Sequence, residues 1–151
     1  MNSVQLHLIF THLPIIGLGL AFLFNLVALI RKSEELQKLT FWFYILVGIF
    51  ALLAYFTGDD AEKIMLTYPG ITEDIIEPHE SIALFFLIGL MITAVLSVFA
   101  LFVLRTKKNL LKRFNIILLV IAFLLCALAV RTGATGGEIR HTEIEQGIYR
   151  K

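Results

Sequence analysis

The sequence predicts an all-α protein, an integral membrane four-helix bundle with both termini outside and a short interfacial helix in the outer loop between helices 2 and 3. Three observations predict it. Of 151 residues, 58% are hydrophobic and 17% charged, with a mean hydropathy of +0.86, whereas soluble domains carry about a quarter charged residues. The 13 Lys and Arg and the 12 Asp and Glu all fall outside four apolar runs, Leu13 to Ile30, Leu39 to Phe56, Ser81 to Leu104 and Phe114 to Val130. A helix rises about 1.5 Å per residue and the hydrocarbon layer is about 30 Å thick, so each run is close to spanning length. The composition excludes a disordered chain and a nucleic-acid binder. The runs lack the alternation of barrel strands, which leaves helices as the spanning structure.

The chain reads as one domain, 1–151, with helices at about 6–31, 39–57, 78–105 and 112–132 and an outer tail at 133–151. In the first helix, Pro14 either begins the membrane segment, leaving His7 in a separate surface turn, or kinks a continuous helix. No Lys or Arg precedes Arg31, so the basic region of a secretory signal is lacking and the first run is predicted to stay in the mature protein. Gly58 is predicted to close the second helix in the left-handed conformation, and Asp59 with Glu62 has capping-box spacing for a short helix from Asp60 to about Leu66. Ile64, Met65 and Leu66 give that helix an apolar side, predicted to lie along the membrane surface, and Tyr68-Pro69-Gly70 ends it in a turn.

The third helix is predicted to begin at Glu77-Pro78-His79-Glu80, with Pro78 at its first position and acidic groups at the positive end of its dipole. The fourth is predicted to stop before Gly133, Gly136 and Gly137, which would let backbone approach a neighbour or a flat ligand. Cys126 stands alone in the fourth run, so no intrachain disulfide or cysteine-based metal site is possible. No repeat of fixed period is visible, and the two short basic turns follow from hairpin topology alone.

Charge sets the orientation. The segments 31–38 and 105–113 hold Arg31, Lys32, Lys38, Arg105, Lys107, Lys108, Lys112 and Arg113 against Glu34 and Glu35. The N-terminus, the segment 58–80 and the tail hold Lys63, Arg131, Arg140, Arg150 and Lys151 against ten acidic residues. Basic excess marks the cytoplasmic face, so both termini are predicted to lie outside, in a bacterial inner membrane.

This topology places all four histidines, His7, His12, His79 and His141, on the outer side. Imidazole is the common protein ligand of haem iron, zinc and copper, and ionisable groups at membrane depth are candidates for function. His7 and His12 are five residues apart, about 140° around a helix, so they cannot bind one ion together. The natural pair is therefore His12 with His79, each at the edge of its charge-free run, with His7 and His141 as a second pair. The leading expectation is a b-type cytochrome-like electron carrier with one or two haems. In that reading Gly17, Gly19 and Gly89 make room for the porphyrin, and Arg131 and Arg140 meet the propionates. One alternative is zinc, copper or non-haem iron held by three or four histidines, with Asp59, Asp60, Glu80 or Glu138 in support. Another is a cofactor-free structural or assembly subunit. No catalytic residues are assigned. A stand-alone enzyme is less favoured than a carrier or subunit whose partners are lipid, a redox cytochrome or quinone, and a second copy or larger complex.

The opening His7-Leu-Ile-Phe-Thr-His12-Leu-Pro14-Ile resembles that of a family of small bacterial four-helix membrane domains of unknown function, whose first helix begins His-Pro-x-x-x-His-Phe-Pro-Ile. The resemblance continues through Phe56-Thr-Gly58-Asp59, His79 and Gly136-Gly137-Glu138-Ile-Arg140-His141, covering nearly the whole chain in order. Leu8 and Leu13 depart from the family's proline and phenylalanine. The resemblance implies association with cytochrome-type domains, which favours haem and electron transfer over hydrolysis.

Overall fold

The computed structural model describes residues 2–103 and 107–140. The chain runs α1 (Ser3–Ile30), α2 (Glu34–Phe56), α3 (Gly58–Met65), α4 (Glu73–Val103) and α5 (Lys108–Arg140). The four long helices are each long and apolar enough to cross a membrane, and they form an all-α membrane bundle. Around the bundle the order is α1, α2, α4, α5, with α5 closing against α1. His141 and residues 104–106 lie outside the described residues.

Local chemistry accounts for most of the helix ends. Asn2 caps α1 by accepting from the Gln5 amide at 2.9 Å while the Gln5 side chain accepts from the Asn2 amide at 3.2 Å, the reciprocal arrangement of a capping box. Ser33 caps α2 through the Leu36 amide at 3.3 Å, after a turn in which Lys32 takes φ 51°. Tyr68-Pro69-Gly70-Ile71 forms a turn closed by Ile71 N to Tyr68 O at 3.3 Å, with Gly70 at φ 84°, as a type II turn requires.

One open alternative is resolved and three local expectations are corrected. Pro14 lies inside a continuous α1, so of the two alternatives His7 belongs to the membrane helix and not to a separate turn. Thr57, at φ −92° and ψ −6°, joins α2 to α3, and Gly58 is helical rather than left-handed; no side chain caps α3. Helix α4 begins at Glu73, which places Pro78 inside it. Helix α5 continues through all three glycines to Arg140, two turns beyond the predicted stop; Gly133 and Gly136 lie against Ile15 and His79 of other helices, and Gly137 faces open space.

The distribution of side chains is inverted relative to a soluble bundle. Phe56, Val130, Ile30 and Phe85 stand on the surface, while Asn25, Thr40, Thr93, Ser97 and Asn115 are fully buried among Ala and Leu. Helices in lipid gain little from burying another leucine; close approach at small residues and internal hydrogen bonds hold them together. Thr40, Thr93 and Ser97 bond back along their own helices, while Asn25 and Asn115 join different helices. Asn25 Nδ2 donates to Tyr44 OH at 3.2 Å and to the Asn115 carbonyl at 3.1 Å. Asn115 Nδ2 donates to Gln37 Oε1 at 3.3 Å.

The burial pattern reveals an internal repeat. The buried positions of α1 are Pro14, Leu18, Ala21, Asn25 and Ala28. In α4, Phe86, Leu90, Thr93, Ser97 and Ala100 are buried at the same spacing. In α2, Gln37, Thr40, Tyr44, Val47, Ala51 and Ala54 are buried, and in α5 their matches are Asn115, Leu118, Ala122, Leu125, Ala129 and Thr132. Alternating steps of three and four define the seam of a left-handed bundle. Contacts repeat too. A Cβ on Gly17 would meet Val47 at 3.0 Å, and one on the corresponding Gly89 would meet Leu125, the match of Val47. The two hairpins α1–α2 and α4–α5 are thus related by a pseudo-two-fold axis running along the bundle, the arrangement of a parallel repeat.

The α2–α4 seam gives a direct test of packing. A Cβ on Gly48 would lie 2.8 Å from Ala94 Cβ, an atom that cannot rotate away. Gly48→Ala is expected to destabilise the bundle by about 1–3 kcal/mol, measured by reversible SDS unfolding in mixed micelles. Adding Ala94→Gly is expected to restore most of the loss.

Candidate functional site

At the end of the bundle opposite the basic turns, His7 on α1 and His79 on α4 are half-buried on the inner side. They occupy matching places in the two halves, each seven residues before the first buried residue of the repeated seam, Pro14 or Phe86. The rings are close enough for the charge of one to act on the other. Above them, Met65, Ile76 and Ile139 form an apolar cap with Val4, Leu66, Ile71 and Ile75. The pair lies between this cap and the main core.

Each ring is held by a threonine of the neighbouring helix, Thr57 at the end of α2 and Thr135 inside α5. His7 Nδ1 lies 3.0 Å from the Ala54 carbonyl and 3.2 Å from Thr57 Oγ1. A carbonyl only accepts, so Nδ1 carries the proton and donates. Thr57 spends its own hydroxyl hydrogen on the carbonyls of Leu53 and Ala54, at 3.0 and 2.9 Å, and offers a lone pair to the ring. His79 repeats this. Its Nδ1 lies 3.1 Å from Thr135 Oγ1, and Thr135 donates to the carbonyls of Arg131 and Thr132 at 3.1 and 3.2 Å. Thr132, the match of Ala54, accepts from the Thr135 hydroxyl as Ala54 does from that of Thr57. Both imidazoles therefore bond through Nδ1, which leaves the lone pair on Nε2, the arrangement that orients a histidine as a ligand.

A glycine follows each threonine and makes room for the ring. A Cβ on Gly58 would lie 3.6 Å from His7 Cε1, and one on Gly136 would lie 3.1 Å from His79 Cε1.

The structure pairs the histidines differently from the sequence-based expectation. His12 is exposed, and its Nδ1 bonds the Leu8 carbonyl of its own helix; a step of five residues from His7 carries it to the outside of the bundle. His7, not His12, is half-buried at the same end as His79. His141 lies outside the described residues, so a pair with His7 is not described. Gly17 and Gly89 receive Val47 and Leu125 of adjoining helices, and Gly19 faces open space; none of the three forms a slot beside the histidines. Arg131 is exposed on α5, four residues before Thr135, and the side chain of Arg140 is outside the described set. Glu62 and Glu80 approach within hydrogen-bonding reach, with Asp59 and Glu77 nearby. Asp60 pairs with Lys63 at 2.9 Å, and Glu138 is exposed. Among the described residues, no three of His, Cys, Asp and Glu stand together to hold a metal ion.

Thr57 and Thr135 escape a reading by residue type, because a threonine near a helix end is ordinary. A signal was available in the repeated strings Thr57-Gly58-Asp59-Asp60 and Thr135-Gly136-Gly137-Glu138, and in the matching intervals from His7 to Gly17-Leu18 and Ala28 and from His79 to Gly89-Leu90 and Ala100.

Fold and site together define a four-helix membrane bundle that presents two oriented imidazoles at one end. No known family model, no curated protein and no solved structure matches the chain.

The two glycines differ in a testable way. Gly136→Ala is expected to displace the His79 ring and change its side-chain ¹⁵N signals, whereas Gly58→Ala, at ordinary contact distance, is expected to leave those of His7 nearly unchanged. NMR of the full-length protein labelled at histidine nitrogen reads both.

Proposed function

We propose that the protein is a membrane-bound b-type cytochrome-like electron carrier in which His7 and His79 are the axial ligands of one haem. The observation that carries this reading is the pair of half-buried imidazoles on different helices, each hydrogen-bonded through Nδ1 and each with its Nε2 lone pair available. Haem supplies four in-plane nitrogens and needs only two protein ligands, which fits two histidines. A zinc, copper or non-haem iron centre needs three or more protein ligands as a rule, and the described residues offer no such set. The apolar cap of Met65, Ile76 and Ile139 suits a cofactor whose potential depends on exclusion of water. Arg131, exposed near the same end, is placed to reach a propionate, and bound haem would supply one-electron transfer to a redox cytochrome or quinone.

The reading includes an orientation. The excess of Lys and Arg in the two short turns places those turns in the cytoplasm and the histidine end outside, in a bacterial inner membrane. A periplasmic reporter fused after Lys151 is expected to be active; an inactive reporter reverses the topology.

Protein purified from cells supplied with haem is expected to show a Soret band and, when reduced, the sharp α and β bands of six-coordinate low-spin haem. His7→Ala and His79→Ala are each expected to convert that spectrum to a five-coordinate form or abolish it, while His12→Ala leaves it unchanged. A colourless, metal-free protein would refute the reading and leave a structural or assembly subunit. A colourless protein with stoichiometric zinc, copper or iron would refute it in favour of a non-haem centre.

A further inference from the structure

We propose that the histidine site is built as two equivalent half-sites about the pseudo-two-fold axis of the bundle, with Thr57 and Thr135 as the positioning residues of His7 and His79. The proposal rests on the reading above only for what the pair holds; the equivalence and the role of the threonines stand on geometry.

The repeat extends from the seam into the site. Thr57, bonded back to Ala54, and Gly58 lie against His7, and Thr135, bonded back to Thr132, and Gly136 lie against His79 in the same sequence order. Each histidine comes from the first helix of a hairpin and each threonine from the second, so a half-site is complete within one hairpin. Val4 and Ile76, one turn or less before the histidines, both join the apolar cap. Ala61 and Ile139, each four residues after its threonine, are both buried. Five kinds of contact therefore recur in one register.

A pseudo-two-fold axis constrains what lies on it. A residue at the axis meets its own counterpart, as Gln37 meets Asn115 across α2 and α5 at the other end of the bundle. His7 and His79, on α1 and α4, are matched by the same axis. Two equivalent donors related by an axis suit a ligand that offers two equivalent coordination positions, as the two faces of a haem iron do. An asymmetric metal site with unlike ligands does not require this repetition.

The threonines are more than helix-end residues. A threonine in a helix commonly bonds back to a preceding carbonyl and needs no further partner. Thr57 and Thr135 make that bond and then present the remaining lone pair to a ring N–H. Partners of this kind fix which ring nitrogen carries the proton and where the ring points, and removing one lowers ligand affinity by about 10- to 100-fold at metal centres.

The experiment uses full-length protein with ¹⁵N-labelled histidine, with Thr57→Val and Thr135→Val as the shape-conserving losses and the corresponding serine variants as controls. In the haem-free protein, Thr57→Val is expected to shift the Nδ1 signal of His7 while that of His79 stays in place, and Thr135→Val to do the converse. Both serine variants keep the wild-type signals. In the haem-loaded protein each valine variant is expected to lower haem affinity about 10-fold and move the reduction potential in the same direction, with a loss of about 100-fold in the double variant. Unchanged histidine signals in both valine variants overturn the positioning role. A response in one half only overturns the equivalence. A general loss of packing moves both signals in every variant, serine included, and counts against the proposal. If the wild type takes up no haem, the function proposed above fails, and the NMR result alone still decides the role of the threonines.

Discussion

A helix bundle in lipid is held together under one constraint: burying an apolar side chain against another helix gains little over leaving it in the hydrocarbon. What remains is dense contact between backbones that approach closely, and hydrogen bonds that the surroundings cannot replace. The chain meets both conditions. Gly17, Gly48 and Gly89 receive Val47, Ala94 and Leu125, so helices interlock where side chains are smallest. Asn25, Tyr44, Asn115 and Gln37 are tied across three helices, each interhelical bond contributing about 0.6 kcal/mol on average. Asn25 Oδ1 and Asn115 Oδ1 have no donor among the described residues. Their amide groups cannot be turned round, because both nitrogens already face carbonyl oxygens that only accept.

The same constraint shapes the histidine end. A ring N–H at this depth needs a partner supplied by protein. At His7 the partners are the Ala54 carbonyl, in the last turn of α2, and Thr57 Oγ1; at His79 the partner is Thr135 Oγ1, inside α5. Each threonine bonds back to a preceding carbonyl, which keeps a lone pair turned to the ring.

Much of the fold is legible in the sequence because it depends on composition over long windows. Four charge-free runs are enough for four helices, and Gly70 after Pro69 is enough for the turn. Helix ends are less legible. Gly133, Gly136 and Gly137 read as a stop in isolation, yet helix-interior glycines are common where another helix or side chain comes close, and tertiary contact with Ile15 and His79 overrides their low propensity. The candidate site is legible only in part. The charge pattern groups the histidines at one end, but the choice between His7 and His12 depends on which side of α1 faces inward. Pro14 obscured that side by allowing a break in the helix; in a continuous α1, its own burial turns His7, two turns earlier, toward the interior.

The two halves differ within the buried seam as well as outside it. His12 corresponds in register to Leu84, and both are exposed, so nothing there depends on the identity of the residue. Tyr44 corresponds to Ala122, both fully buried; the tyrosine uses its hydroxyl to partner Asn25, whose own match is the smaller Ser97, bonded back to Thr93 at 2.7 Å. At Thr57 the first half bends from α2 into α3, while the second half runs straight through Thr135, yet the bend leaves the threonine, the glycine and the buried Ala61 in the same relation to the histidine as their matches in α5. Divergence is tolerated where a residue meets lipid or a partner it can adjust with. At one end of the axis a residue meets its own counterpart, Gln37 with Asn115, and at the other end stand the matched histidines, His7 and His79, each held by its own threonine.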